Sequence, residues 1–138
     1  MNEEKQQHLE FIQNVITRMN TNSFQIKKLA ILLITALLAV YTSKIIMTFL
    51  LVPIIPTLIL WGLDSYYLQQ ERKFRGVYND ISGLKNLNEV KPYEMPIHKY
   101  TSDKNKSFGF FNVLFSKTLI CFYLPILVLP LTLYFIVK

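Results

Sequence analysis

Charge is scarce in this chain, and its absence is concentrated. Only 17% of the 138 residues are charged while 51% are hydrophobic, whereas an ordinary soluble domain carries roughly 25% charge. A soluble core of this size cannot absorb so much apolar surface. Ile45 to Leu63 is a run of 19 residues without a charge, and Thr118 to Val137 is a run of 20; about 20 residues are needed to cross some 30 Å of hydrocarbon. The interiors of the apolar runs lack Asp, Glu, His, Lys and Arg, which excludes the buried ionisable groups that proton relays and ion-coupled transporters use. Glycine is equally sparse, at four residues, leaving little material for a phosphate-cradling loop. No GxSxG, HExxH, CxxC or P-loop pattern occurs. The lone Cys121 excludes an intrachain disulfide and reads as a small apolar filler. His8 and His98 are the only histidines and have no Cys or second His nearby, so both read as surface residues rather than metal ligands. No catalytic residue, cofactor or metal is expected, and the chain reads as a non-enzyme.

The charge that is present is asymmetric. Nine of the 15 Lys and Arg residues fall between positions 64 and 117 and four precede the first apolar run, while Lys44 and Lys138 stand alone. By the positive-inside rule the amino terminus and the 64–117 segment are cytoplasmic. The basic residues of that segment are interleaved with Asp64, Glu71, Asp80, Glu89, Glu94 and Asp103, so no clean basic stripe forms and direct nucleic-acid binding is argued against.

Along the chain, residues 3–19 carry an amphipathic helical pattern through Leu9, Ile12, Ile16 and Met19. Its polar face is poor in Lys and Arg, which favours packing on protein over lying on lipid. Asn20-Thr21-Asn22-Ser23 interrupts the pattern and reads as a cap or hinge, with Gln25 three residues after Asn22. Residues 24–43 are long enough to span if Lys27 and Lys28 snorkel toward headgroups, and Thr35, Ala36 and Ala39 offer a small-residue face. A tight turn at Thr42-Ser43-Lys44 leads to a second spanning helix bent mid-way by Pro53 and Pro56. That helix continues past Asp64 into the cytosol on a roughly heptad stripe of Leu63, Tyr67, Gln70, Phe74, Val77 with Tyr78, and Ile81, with Glu71 and Arg75 at i, i+4 spacing. This stripe is the natural mate of the amino-terminal one, which would bring Arg18 near Asp64 or Glu71. From Leu84 to Lys106 periodicity is lost. A short interfacial helix over 107–117 then precedes a third spanning run, kinked by Pro125 and Pro130 or re-entrant.

The expected fold is an all-α integral membrane protein. It divides into a cytosolic amphipathic helix and hinge (1–23), a transmembrane hairpin (24–63), a cytosolic helix extension and loop (64–107), and an interfacial helix followed by a third transmembrane helix (108–138).

Three segments carry a resemblance: HLEFIQNVITRMNTNSF at 8–24, WGLDSYYLQQERKFRGVYNDI at 61–81 and SFGFFNVLFSKTLICFYLP at 107–125. Together they resemble a family of small bacterial membrane proteins that is similar to the membrane ancillary proteins of type VI-B CRISPR and RADAR-type anti-phage systems, and to SLATT-like few-pass effectors. The resemblance implies a multi-pass protein of the bacterial inner membrane with a cytoplasmic amino terminus. It would act as an oligomeric accessory or effector subunit that forms a pore or perturbs the bilayer, or as an anchor that recruits a soluble defence protein. The implied partners are membrane lipid, further copies of the chain and that soluble protein. Its implied assembly residues are Arg18, Asn22, Ser23, Asp64, Tyr67, Glu71, Arg72, Arg75 and Tyr78, and Pro53, Pro56, Pro125 and Pro130 are hinge candidates.

Overall fold

In a computed structural model of the chain, residues 3–44, 50–85 and 87–137 are described. Four α-helices follow in order: α1 (Glu3–Lys44), α2 (Ile54–Ser82), α3 (Phe110–Leu114) and α4 (Lys117–Val137). Short 3-10 turns at Ile97–Lys99 and Lys106–Phe108 lie between α2 and α3. The fold is all-helical, with no strand among the described residues.

α1 corrects the expected hinge. It runs unbroken for 42 residues, about 63 Å at 1.5 Å per residue, straight through Asn20-Thr21-Asn22-Ser23. These residues interrupt apolar periodicity without breaking the helix because their hydroxyls find partners in helical geometry. Thr17 and Thr21 donate to the carbonyls of Gln13 and Thr17, at 3.0 and 2.9 Å, the back-bonding open to such side chains in mid-helix. Ser23 is buried and turned onto α2. Nor is there a turn at 42–44, since α1 continues through Lys44.

The prolines of the second run are also placed differently. α2 begins at Ile54, so Pro53 is its N-cap and Pro56 lies in its first turn, where the amide hydrogen a proline lacks would have had no intrahelical acceptor. Both prolines therefore lie at the start of α2 rather than mid-way along a helix. The start of the run, residues 45–49, lies outside the described residues. The apolar part of α2 is confined to Ile54 to Leu63, about 15 Å of helix. Pro125 and Pro130 do lie inside α4.

α1 and α2 pack antiparallel along most of their length. Near the middle, Ile26 and Ala30 of α1 meet Leu60 of α2, and α4 joins them through Leu119 and Tyr123. Toward the other end, Ile12 and Ile16 meet Val77. α2 stops at Gly83, whose φ of 83° is left-handed and whose N–H reaches the carbonyls of Asn79 and Asp80, the usual glycine solution to a helix end.

The segment beyond Gly83 has no helical period, yet it is not a free loop. Tyr100 and Phe108 are buried against Ile12, Ile16 and Val77, with Val90, Met95 and Ile97 packed around them. These side chains close a second core at the end of the hairpin remote from α4, termed the head below. His8 helps to hold it. Expected at the surface, it is only 2% exposed, because Nδ1 accepts the Tyr93 N–H at 3.2 Å and the opposite nitrogen, Nε2, donates to the Glu94 carbonyl at 3.1 Å. Those bonds hold Tyr93 at a φ of 61°, uncommon for a residue with a side chain. His98 is exposed, as expected.

Among the described residues, two helices, α1 and α4, contain stretches long and apolar enough to cross a membrane. Only 22% and 17% of those stretches are buried within the protein, whereas core helices of soluble proteins hide most of their apolar surface. Thr35, Ala36 and Ala39 are exposed, so the small-residue face is not covered by the described residues.

Candidate functional site

The three long helices are pinned together by a buried polar cluster where the apolar and polar halves of the hairpin meet. Asp64 of α2 is fully buried. Its Oδ2 lies 2.6 Å from Lys27 Nζ of α1 and accepts from the Tyr123 hydroxyl of α4 at 3.0 Å. Its Oδ1 accepts from the Ser23 hydroxyl, which in turn accepts from Lys27 Nζ at 2.8 Å. One carboxylate thus contacts a cation and two hydroxyls from two other helices, so its charge is paired and its lone pairs are used.

Trp61 secures the same level. Its Nε1 donates to the Leu114 carbonyl at 3.1 Å, its ring stacks on Tyr123 with centroids 5.9 Å apart, and Phe115 meets it edge-on. α3 and the start of α4 are therefore fixed to α2 by one side chain's apolar body and polar tip.

Of the residues singled out from the sequence, Ser23 and Asp64 meet in this cluster. Arg18 does not: it is exposed on α1 with no ion pair among the described residues. Lys27 takes the place expected of it. Rather than snorkelling outward, Lys27 keeps only 20% of its side chain exposed, since a buried carboxylate within reach competes with headgroup water. Asn22 and Tyr67 line a shallow depression beside the cluster. Glu71 and Arg75 form the i, i+4 pair at 2.8 Å, with Glu71 mostly buried and Arg75 60% exposed. Arg72 donates to the Ser107 carbonyl at 3.4 Å, and Tyr78 packs into the head.

The residues that sequence reasoning missed are Lys27, Tyr123, Asp80 and Tyr100. Ser23 and Lys27 are one helical turn apart, and Tyr123 is a polar tip within an apolar run; those were the available signals. Asp80 organises the head. Its Oδ1 accepts the Leu87 N–H at 3.0 Å, and its Oδ2 accepts both the Asn88 N–H at 3.0 Å and the Tyr100 hydroxyl at 2.7 Å.

Burial, reinforced by the hydrogen bond to Asp80, pushes the Tyr100 phenol well above its ordinary value. A raised folded-state pKa means that the stabilisation is intact below the unfolded value near 10 and is lost as pH rises beyond it. Tyr100→Phe should flatten the fall of melting temperature between about pH 10 and 11.5, where one such proton accounts for up to roughly 1.4 kcal/mol per pH unit. Thermal melts of both proteins across that range provide the check, and equal slopes would refute the assignment.

No group of three or more His, Cys, Asp and Glu residues able to hold a metal ion occurs among the described residues. Comparisons of the chain with known protein families, with curated proteins and with solved structures find no match.

Proposed function

We propose that this chain is a non-enzymatic membrane protein that anchors a soluble partner through its water-facing head. The carrying observation is the direction in which the polar groups of the hairpin point. Ser23, Lys27, Asp64 and Tyr123 turn toward one another inside the protomer, while the outer faces present Leu29, Ile31, Leu32 and Val40 on α1, Ile55, Leu58 and Ile59 on α2, and Leu124, Val128, Phe135 and Ile136 on α4. Such a belt suits lipid; a channel lined by it would be dry.

The head adds a place to hold a partner. A cavity of about 630 Å³ between the start of α1 and the 87–92 segment is lined by Glu4, Lys5, His8, Asp80 and Glu89 together with Val90 and Pro92, a size and mixture suited to side chains of a docked protein. In this reading the amino terminus and head are cytoplasmic, the membrane is the bacterial inner membrane, and the partner belongs to a defence complex.

A second reading, an oligomer that breaches the bilayer, draws support from α4. Pro125 and Pro130 each remove the amide hydrogen that would serve the carbonyl four residues earlier, leaving acceptors that water or a neighbouring helix could satisfy. Expression in cells with a membrane-potential dye and a lysate pull-down separates the two. An anchor retains a defined soluble partner without loss of potential, and Lys5→Glu in the lining of the head cavity abolishes the capture while membrane insertion persists. Loss of potential on expression, without capture, would establish the second reading instead.

A further inference from the structure

The sequence disperses basic residues among acidic ones, but the fold engages four of the carboxylates and leaves one cavity whose charged lining residues are all basic. Asp64 is spent in the joint, Glu71 is held by Arg75, Asp80 is filled by two loop amides and a phenol, and Glu94 is tied to Lys99 Nζ and the Lys91 N–H. Left beside α2 is a cavity of about 280 Å³, to which Arg72, Arg75 and Lys85 contribute charge and Asn79 and Asn105 contribute amides. No carboxylate is among its described lining residues.

The cations here are not merely a solvated face. Arg72 is drawn onto the Ser107 carbonyl, and burial pushes its guanidinium below its ordinary value, with Glu71 only partly offsetting this. Arg75 offers both Nε and Nη2 to the single Oε1 of Glu71. The Lys85 N–H donates to the Asn79 carbonyl at 3.2 Å, while its ammonium has no hydrogen-bond or ion-pair partner among the described residues. Three cations therefore converge on a concave space with one carboxylate to balance them, an arrangement that attracts an anion with several acceptor oxygens. The volume falls just below the range of drug-sized pockets, which fits a phosphate group with a small appendage better than an extended cofactor.

We propose that this cavity binds a small phosphorylated group, with Arg72 and Lys85 as its principal contacts and Arg75 as a third. Free phosphate esters and lipid headgroups share that chemistry. Arg72 follows Asp64 by eight residues on α2, about 12 Å of helix, on the side of the joint that carries the polar half of the hairpin. The site is independent of the anchor reading, since a head that binds phosphate need not recruit a protein.

The test uses the full chain in neutral detergent at low salt, with pyrophosphate titrated against melting temperature. A saturable rise is expected, and Arg72→Gln and Lys85→Gln should each weaken it at least about tenfold, as lost charge-assisted contacts do. Lys73→Gln, outside the cavity lining, should leave it unchanged, and circular dichroism checks that each variant keeps its helices. Repeating the titration in nanodiscs assigns the source: abolition of pyrophosphate binding by phosphatidylglycerol but not phosphatidylcholine identifies the headgroup, whereas equal binding in both identifies a free ester. An unsaturable response, an equal response in the cavity variants, or binding of an oligonucleotide that pyrophosphate fails to displace would each overturn the proposal.

Discussion

Asp64→Leu is expected to destabilise the protein by about 3–5 kcal/mol, because it strands a cation that the fold has already withdrawn from solvent. Lys27 would keep Ser23 as a neighbour but lose the carboxylate 2.6 Å away, and the Tyr123 hydroxyl would lose its acceptor. The loss reaches all three long helices, so the drop in melting temperature should be on the order of 10 °C. Lys27→Met should be comparably harmful for the converse reason, since it leaves a fully buried carboxylate with two hydroxyls and no counter-ion. Lys27→Met combined with Asp64→Leu should cost less than either single change, because removing both charges removes the desolvation penalty as well as the attraction. Detergent melts of the four proteins measure this. A double variant whose loss equals the sum of the singles would show that the two side chains act separately and that the joint is not a coupled unit.

That joint also marks how far the sequence could be read. Apolar run length placed α4 directly, but α1 only once its short run was extended past Lys27 and Lys28, and the uncharged run at 45–63 is not among the stretches of the described residues that can cross a membrane. Stripe matching paired the amino-terminal helix with the polar half of α2, because that signal depends only on local period. The position of Asp64 at the boundary was equally plain. Its partner was not. Arg18 and Lys27 lie nine residues apart on one continuous helix, and the choice between them depends on the register of α1 against α2. The assumed hinge at 20–23 hid that register, since a break would have freed the two halves to rotate. Thr17 and Thr21 hydroxyls bonded within the helix have no signature distinguishable from capping residues in sequence.

The head was hidden for a different reason. Val90, Met95, Ile97, Tyr100 and Phe108 follow neither helical nor strand spacing, because irregular backbone held by Asp80 and His8 carries them into the core. Periodicity detects regular elements packing by one face; it is blind to a loop that packs by scattered side chains. The basic cavity was hidden likewise, as Asp80 is held by the Leu87 and Asn88 amides and the Tyr100 hydroxyl, partners that sequence order alone does not identify.

Two glycines of the same helix should respond to alanine with opposite signs. A Cβ at Gly76 would lie 2.6 and 2.8 Å from ring carbons of Tyr100 and 3.1 Å from Phe108, whereas carbon atoms in good contact sit about 3.5–4.0 Å apart. The Tyr100 ring has little freedom to retreat, being fully buried with its hydroxyl held 2.7 Å from Asp80. Movement there would pull on the Leu87 and Asn88 amides that share the carboxylate. Overpacking of this kind costs about 1–3 kcal/mol, against which the helix preference of alanine returns up to about 1 kcal/mol. Gly76→Ala is therefore expected to be net destabilising, and Gly76→Val more so, since its extra methyl groups enter the same contact. At Gly62 nothing lies within 4 Å of an added Cβ, so Gly62→Ala keeps the propensity gain and should raise stability by about 0.5–1 kcal/mol. Melting temperatures of the three variants give the signs. Trimming the obstacle provides the decisive comparison: in a Tyr100→Leu background, Gly76→Ala should lose most of its penalty, and a penalty that persists unchanged would place its cause in the backbone of α2 rather than in the ring that rests against it.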